Sequence, residues 1–142
     1  MEGSRSEGLG RVRDWMSRNP VTVPVEHSVG QVARLMQAQG IRHVLVMDGD
    51  RLAGIVSNRD VRGPLTDAEP HVFPGSPLVR VMTENPLTVA PETRLTDAAR
   101  EMLERRIGAL PVVEGDRLIG ILTKSDALEA LLTWAERPPT IG

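Results

Sequence analysis

Two segments of the 142-residue sequence place a hydroxyl three residues ahead of an aspartate, Ser57-Asn58-Arg59-Asp60 and Thr123-Lys124-Ser125-Asp126. At a helix start this spacing forms a capping box. The hydroxyl accepts from the amide of the third helical residue, and the acid faces the positive end of the helix dipole. A start capped in this way can also cradle a phosphate through its free N–H groups. Catalysis has less to work with. Cysteine is absent, which excludes a thiol nucleophile, a zinc-thiolate site and disulfides. No H-E-x-x-H, G-x-S-x-G or P-loop motif occurs. His27, His43 and His71 stand apart from any carboxylate at metal-ligand spacing. An aspartate at a helix start is a general base only when a substrate proton lies within its reach. The pattern points to binding, with no catalytic residue, no metal site and no required cofactor.

Composition narrows the partners. Apolar residues make up 40%, charged residues 25%, and the formal net charge is −2, values of an ordinary globular chain. That balance, with no basic stripe, argues against nucleic acid. Aromatics are limited to Trp15, Phe73 and Trp134, too few for a base-stacking platform. The 16 arginines are scattered along the whole length and form no patch. The first eight residues hold two acids and no apolar core, unlike a signal peptide. The longest apolar stretches, 109–113 and 118–122, fall far short of the about 20 residues that span a membrane. The expectation is a cytoplasmic protein without a membrane partner.

Sliding the sequence by 66 positions reveals a duplication. From Met16 to Arg62, 18 of 47 positions are identical without a gap. Among them are Asn19-Pro20 with Asn85-Pro86, Thr22-Val23 with Thr88-Val89, and Gly49-Asp50-Arg51-Leu52 with Gly115-Asp116-Arg117-Leu118. Each copy opens with a short β-rich segment, 20–25 or 86–90. A helix follows, with a capping box at Ser28 and Gln31 in the first copy. Its apolar stripe is Val29, Val32, Ala33 and Met36, or Leu95, Ala98, Ala99, Met102 and Leu103. Two apolar runs then flank a Gly-Asp turn, a hairpin signal. A second helix starts after Ser57 or Thr123. In the second copy its predicted apolar face is Ala127, Leu128, Leu131, Leu132 and Ala135. The unit is β-α-β-β-α, an α+β fold. At about 50 residues, each copy is near the lower limit for a lone core, so the two are expected to fuse. The four prolines of residues 63–77 mark a surface linker.

These motifs resemble the CBS domain, the small module named after cystathionine β-synthase. The resemblance rests on Met16-Ser17-Arg18-Asn19-Pro20-Val21-Thr22-Val23 with Met82-Thr83-Glu84-Asn85-Pro86-Leu87-Thr88-Val89, on the Gly-Asp hairpin, and on Gly54-Ile55-Val56-Ser57-Asn58-Arg59-Asp60 with Gly120-Ile121-Leu122-Thr123-Lys124-Ser125-Asp126. All three recur in order in both copies. The expected division is a leader 1–11, repeats 12–62 and 78–132, a linker 63–77 and a tail 133–142. The element order is also similar to the CBS half of acetoin-utilisation-type bacterial proteins, which carry a further C-terminal ligand domain. This sequence runs ten residues past Leu132, so that domain is expected to be missing.

The resemblance implies two repeats packed as one pseudo-twofold module, homodimer formation and an unidentified regulated partner protein. It also implies clefts for an adenosine ligand, AMP, ADP or ATP, with S-adenosylmethionine as a further possibility. Asp60 and Asp126 would accept the ribose hydroxyls, since a carboxylate offers two acceptors in one plane. Ser57 and Thr123 would lie near ribose or phosphate. The capping reading of the same residues stands beside this one and is compatible with it. Phosphate would be met by Arg42, His43, Arg59 and Lys124, or these are solvated surface residues. Copy two has Gly108 and Ala109 at the Arg42-His43 positions. Gly108-Ala109-Leu110-Pro111-Val112 matches the family's hydrophobic-Pro-hydrophobic pattern, and proline interrupts a ladder and frees backbone groups for an adenine edge. Copy one has Leu45 at that proline position. Aliphatic walls such as Val89, Ile107 and Leu110 would hold the base. Thr22, Val23, Val44 and Thr88 complete the implied contacts. The bland alternative is a structural docking protein with vestigial clefts.

Overall fold

A computed structural model of the chain describes residues 8–68 and 71–137. Parts of the expected leader and tail, and Pro70 of the linker, lie outside the described residues. The elements are α1 (Val12–Trp15), β1 (Thr22–Pro24), α2 (Val29–Gln39), β2 (His43–Asp48), β3 (Arg51–Ser57), α3 (Asn58–Leu65), a 3-10 turn (Leu78–Arg80), β4 (Thr83–Glu84), α4 (Leu95–Arg105), β5 (Ala109–Glu114), β6 (Arg117–Thr123) and α5 (Lys124–Glu136). The chain is mixed α+β, and the strand-helix-hairpin-helix order runs through it twice. One departure concerns the first strand of copy two, which shrinks to a single parallel bridge between Val89 and Val112.

Two compact units account for the described residues. One is Pro20–Pro86; the other joins residues 8–19 to 87–137. In the first, β1 runs parallel to β2, and β2, β3 and β4 follow antiparallel in one sheet. Helix α2 begins at the expected box, with Gln31 N–H donating to Ser28 Oγ at 3.2 Å and Ser28 N–H donating to Gln31 Oε1 at 2.8 Å. It ends at Gly40, whose φ of 65° is the left-handed conformation of a helix stop. Its stripe of Val29, Val32 and Met36 meets Val44, Val46 and Val56 from the hairpin.

The segment expected to be a surface linker does more than connect. Helix α3 continues through Pro64 to Leu65. Farther on, the Pro74 and Ser76 carbonyls accept from Gly30 and Val29 at 2.8 and 2.9 Å, so this stretch satisfies the open start of α2. Leu78 is then fully buried in the core, and β4 pairs with Gly54 and Ile55 of β3.

In the other unit, β5 and β6 form the hairpin, and Leu95, Ala98 and Met102 of α4 cover it together with Ala130. Val12 and Met16 from residues 8–19 complete this core. Ser17 exchanges both hydrogen bonds with Ile121, at 2.9 and 3.0 Å. Residues 8–19 therefore serve copy two as residues 78–84 serve copy one. Sequence periodicity opens each repeat at Met16 or Met82, but each opening segment belongs to the unit that holds the other copy.

Two expected apolar faces are corrected. Leu103 stands 79% exposed, because α4 is buried along Leu95, Ala98 and Met102, with Ala99 half-buried beside them. Helix α5 seats through Ala130, with Ala127 packed alongside, while Leu128, Leu131 and Leu132 remain 60%, 47% and 58% exposed. The face of α5 that carries these two alanines meets the core, and the leucine stripe lies on its outer side.

The leader contacts require glycine. A Cβ at Gly120 would stand 2.6 Å from the Ser17 carbonyl oxygen and 2.9 Å from Met16 Sδ; at Gly54 the same distances to Thr83 O and Met82 Sδ are 2.8 and 2.9 Å. Gly120→Ala is expected to cost about 1–3 kcal/mol, since a backbone atom must yield. Gly63 lies inside α3 with nothing within 4 Å of its would-be Cβ. Gly63→Ala is expected to add about 0.5–1 kcal/mol through helix propensity. Urea melts of the two variants should move in opposite directions from the parent.

Candidate functional site

In the unit Pro20–Pro86 the expected residues gather at one end of the sheet. His43, opening β2, lies opposite Ser57, closing β3. Parallel β1 brings Thr22 beside Leu45 and Val23 beside Val46. The Arg42 carbonyl accepts from Asn58 N–H at 2.7 Å, which fixes the chain entering β2 to the start of α3. Arg42, His43, Ser57, Arg59 and Asp60 are thereby neighbours in one constellation. Arg42 and Arg59 are exposed, while His43, Ser57 and Asp60 are half-buried.

The other unit repeats the arrangement without the basic pair. Ala109 lies opposite Thr123, and the Gly108 carbonyl accepts from Lys124 N–H at 3.0 Å. Val89 runs beside Val112, which brings Thr88 to the strand that carries Pro111. Lys124 is exposed; Thr88, Val89, Ile107, Thr123 and Asp126 are half-buried.

Both helix starts are closed by the same chemistry. Asp60 Oδ2 accepts from Ser57 N–H at 2.8 Å, and Ser57 Oγ accepts from Asp60 N–H at 3.1 Å. Asp126 Oδ2 accepts from Thr123 N–H at 2.8 Å and from the Thr123 hydroxyl at 3.0 Å, while Thr123 Oγ1 accepts from Asp126 N–H at 3.3 Å. The capping reading is thus realised in full. It leaves the other carboxylate oxygen of each aspartate without a hydrogen bond among the described residues. It also narrows the phosphate cradle. Of the amides at each start, only Arg59 N–H and Ser125 N–H make no hydrogen bond among the described residues.

The expected aliphatic walls divide. Val23, Val44 and Leu110 are buried in their cores, with Val44 and Leu110 at 0% exposure. Their side chains support the site from below, and only their backbone can face a ligand. Val89 and Ile107 sit at the margin of their core, half-exposed. Sequence reasoning named the proline strand but not the backbone groups it would free. Leu45 N–H donates to the Val21 carbonyl at 3.0 Å. Pro111, at the equivalent position, has no N–H, and the Leu87 carbonyl accepts no hydrogen bond among the described residues. The missing donor also explains why copy two has a bridge where copy one has β1. Comparing Leu45 with Pro111 in the duplicated sequence was the signal that could have found Leu87.

Among the described residues no group of three or more histidines, aspartates or glutamates could hold a metal ion. No described helix is long and apolar enough to cross a membrane.

Comparison with known proteins agrees with the duplicated architecture. The CBS domain model matches residues 12–66 and again 78–133. A solved structure of a Vibrio cholerae protein named for acetoin utilization is 36% identical, with a TM-score of 0.74 over 91% of this chain and 98% of that one. The structure of CBSX2 in complex with AMP is 29% identical, with a TM-score of 0.75 over 89% of this chain and 98% of that one. Among curated proteins, inosine-5'-monophosphate dehydrogenase of Korarchaeum cryptofilum is 37% identical over 123 residues, 85% of this chain, which spans only 24% of that enzyme's length. With a match in each copy that together takes in most of its length, this chain belongs to the CBS domain family, as a tandem pair.

Proposed function

We propose that the chain is a regulatory ligand-sensing module that binds an adenosine nucleotide through the constellations at the starts of α3 and α5. One observation carries the reading. At each start a half-buried carboxylate is held through one oxygen, while its other oxygen makes no hydrogen bond among the described residues, beside an N-cap hydroxyl. A fixed acceptor next to a hydroxyl suits the ribose cis-diol. The AMP complex of a 29%-identical CBS protein supports the same ligand class. Arg42 and Arg59 in one unit and Lys124 in the other supply positive charge for phosphate, with the His43 ring beside the first pair. Thr22 and Thr88 add hydroxyls, and Val89, Ile107 and the backbone near Leu110 and Pro111 line the base. The module does no chemistry on the ligand. It acts by the difference in the ligand's affinity for two arrangements of an assembly.

A second reading, docking of another copy or of a regulated protein, is favoured by the exposed leucines of α5. Apolar side chains repeating along one helix face are a common protein-binding surface. The two readings are compatible, because a sensor needs something to regulate.

Thermal melts with AMP, ADP, ATP and S-adenosylmethionine test the sensing role. A ligand at 100 times its dissociation constant should add about 2.7 kcal/mol of stability. A panel that leaves the transition unmoved at millimolar concentration removes the reading. Asp126→Ala should abolish the shift contributed by its unit, whereas a variant that melts earlier yet binds as before assigns Asp126 to capping alone. Thr123→Ala should cost about 1 kcal/mol from the lost cap. For the docking face, Leu128→Glu with Leu132→Glu should convert an assembled species to monomer in light scattering, with the melt of the isolated chain little changed. If the parent is already monomeric at every concentration, self-association is excluded.

A further inference from the structure

With no cysteine in the chain, its six methionines hold all of its sulfur. Peroxides convert a thioether to a polar, chiral sulfoxide, and they reach an exposed sulfur first. Met16, Met36 and Met102 are buried in the cores, whereas Met47 and Met82 are half-buried. Of these two, Met82 stands at a structural joint. Its N–H donates to the Leu78 carbonyl at 2.9 Å, and the next residue, Thr83, opens β4. A Cβ at Gly54 would stand 2.9 Å from Met82 Sδ and 3.2 Å from its Cγ, so the thioether fills the place that a side chain of β3 would take. The contact matters because β4 has only two residues and pairs with Gly54 and Ile55 alone. Met16 holds the equivalent place over Gly120, with its sulfur inside the core of the other unit.

We propose that Met82 is a modification site for peroxide-class oxidants, and that its sulfoxide releases β4 from β3 in the unit Pro20–Pro86 while Met16 keeps the other crossing segment closed. The sulfur lone pair attacks one peroxide oxygen. The S–O bond forms as the O–O bond breaks, and the departing hydroxide takes a proton to leave as water. Sulfur is oxidised by two electrons and the peroxide is reduced. The new oxygen is a hydrogen-bond acceptor. Toward β3 it meets the Thr83 carbonyl oxygen, another acceptor, 2.8 Å from the same Gly54 Cβ position. Two acceptors without a proton between them repel. Turned toward water instead, the sulfoxide draws the side chain off the glycine, because burying it unpaired is costly. Either course loosens a two-residue strand, and the polarity of the new group undoes the apolar packing that thioethers provide.

Peroxide treatment of the whole chain, followed by peptide mass spectrometry and amide hydrogen exchange, tests this. Met82 should convert about tenfold or more faster than Met16, Met36 and Met102. Exchange should rise at residues 83–85 and 54–55, and stay at the parental rate at Ser17 and Ile121. Methionine sulfoxide reductases with a dithiol reductant should return both mass and exchange to the starting values. Met82→Leu keeps an apolar side chain of similar volume and should abolish the response, whereas Met47→Leu should respond as the parent does. If Met82→Leu fails to fold, the conversion rates and the reductase reversal in the parent still decide. Met82 converting no faster than Met16, a sulfoxide at Met82 with unchanged exchange at 83–85, a Met82→Leu chain that responds like the parent, or unfolding of the whole chain on oxidation would each overturn the proposal.

Discussion

At Gly120 and Gly54 a strand and a crossing segment come so close that no side chain fits between them. Ser17 exchanges two hydrogen bonds with Ile121 across the first contact, and β4 pairs with Gly54 and Ile55 across the second. Backbone pairing at this distance needs glycine on one side, and the methionine at the head of each crossing segment packs over it. Much else hangs on these two contacts. They bring Val12 and Met16 into one core and Leu78 into the other. They also hold β6 and β3 in place, and those strands end at Thr123 and Ser57. A fold of about 50 residues is near the lower limit for a stable lone core. Recruiting a crossing segment adds apolar area to each core and covers a sheet edge that would otherwise be open.

The strand ends then set the helix starts. Asp60 and Asp126 each close a capping box, so their carboxylates are structural before they are anything else. Structural use does not exhaust them. A carboxylate has two oxygens, and the box engages one. Held by a backbone amide, the other oxygen is positioned with little rotamer entropy left to lose, which favours any ligand that needs it. The two starts are not identical. The Thr123 hydroxyl gives its proton to Asp126, whereas no such bond joins Ser57 to Asp60. The Ser57 hydroxyl proton therefore remains available to a ligand or water.

Local features of this architecture were legible in the sequence. The 66-residue offset exposed the duplication, Gly49 and Gly115 marked the hairpin turns, and Ser28, Ser57 and Thr123 marked helix starts. These are signals carried by neighbouring residues. What the sequence hid depends on which surface meets which. Leu128, Leu131 and Leu132 have the spacing of a buried face, yet Ala130 is the residue that seats α5. Periodicity finds an apolar stripe but does not say whether this chain covers it. The exchange of leaders was hidden for the same reason, because Met16 and Met82 open their repeats in the sequence while packing elsewhere. Of the candidate site, the capping role of the aspartates and hydroxyls was readable, but the unmatched Leu87 carbonyl was not, since any residue has a carbonyl and only pairing shows which one lacks a donor among the described residues.

Duplication makes such a difference affordable to evolve. A proline in the middle of a strand removes one ladder bond, and the net loss is about 1 kcal/mol when water can take over the acceptor. Pro111 shortens the first strand of copy two without disturbing the Val89 and Val113 rungs. Copy one keeps Leu45 and a three-residue β1, together with Arg42 and His43 where copy two has Gly108 and Ala109. One copy thus has more ladder and more charge; the other has a backbone acceptor with no donor among the described residues and no basic pair. Both cores are unaffected, because positions 45 and 111 are buried in either form. The side chains hold each core constant while a single N–H, present in one copy and missing in the other, changes the backbone pairing at each edge of sheet.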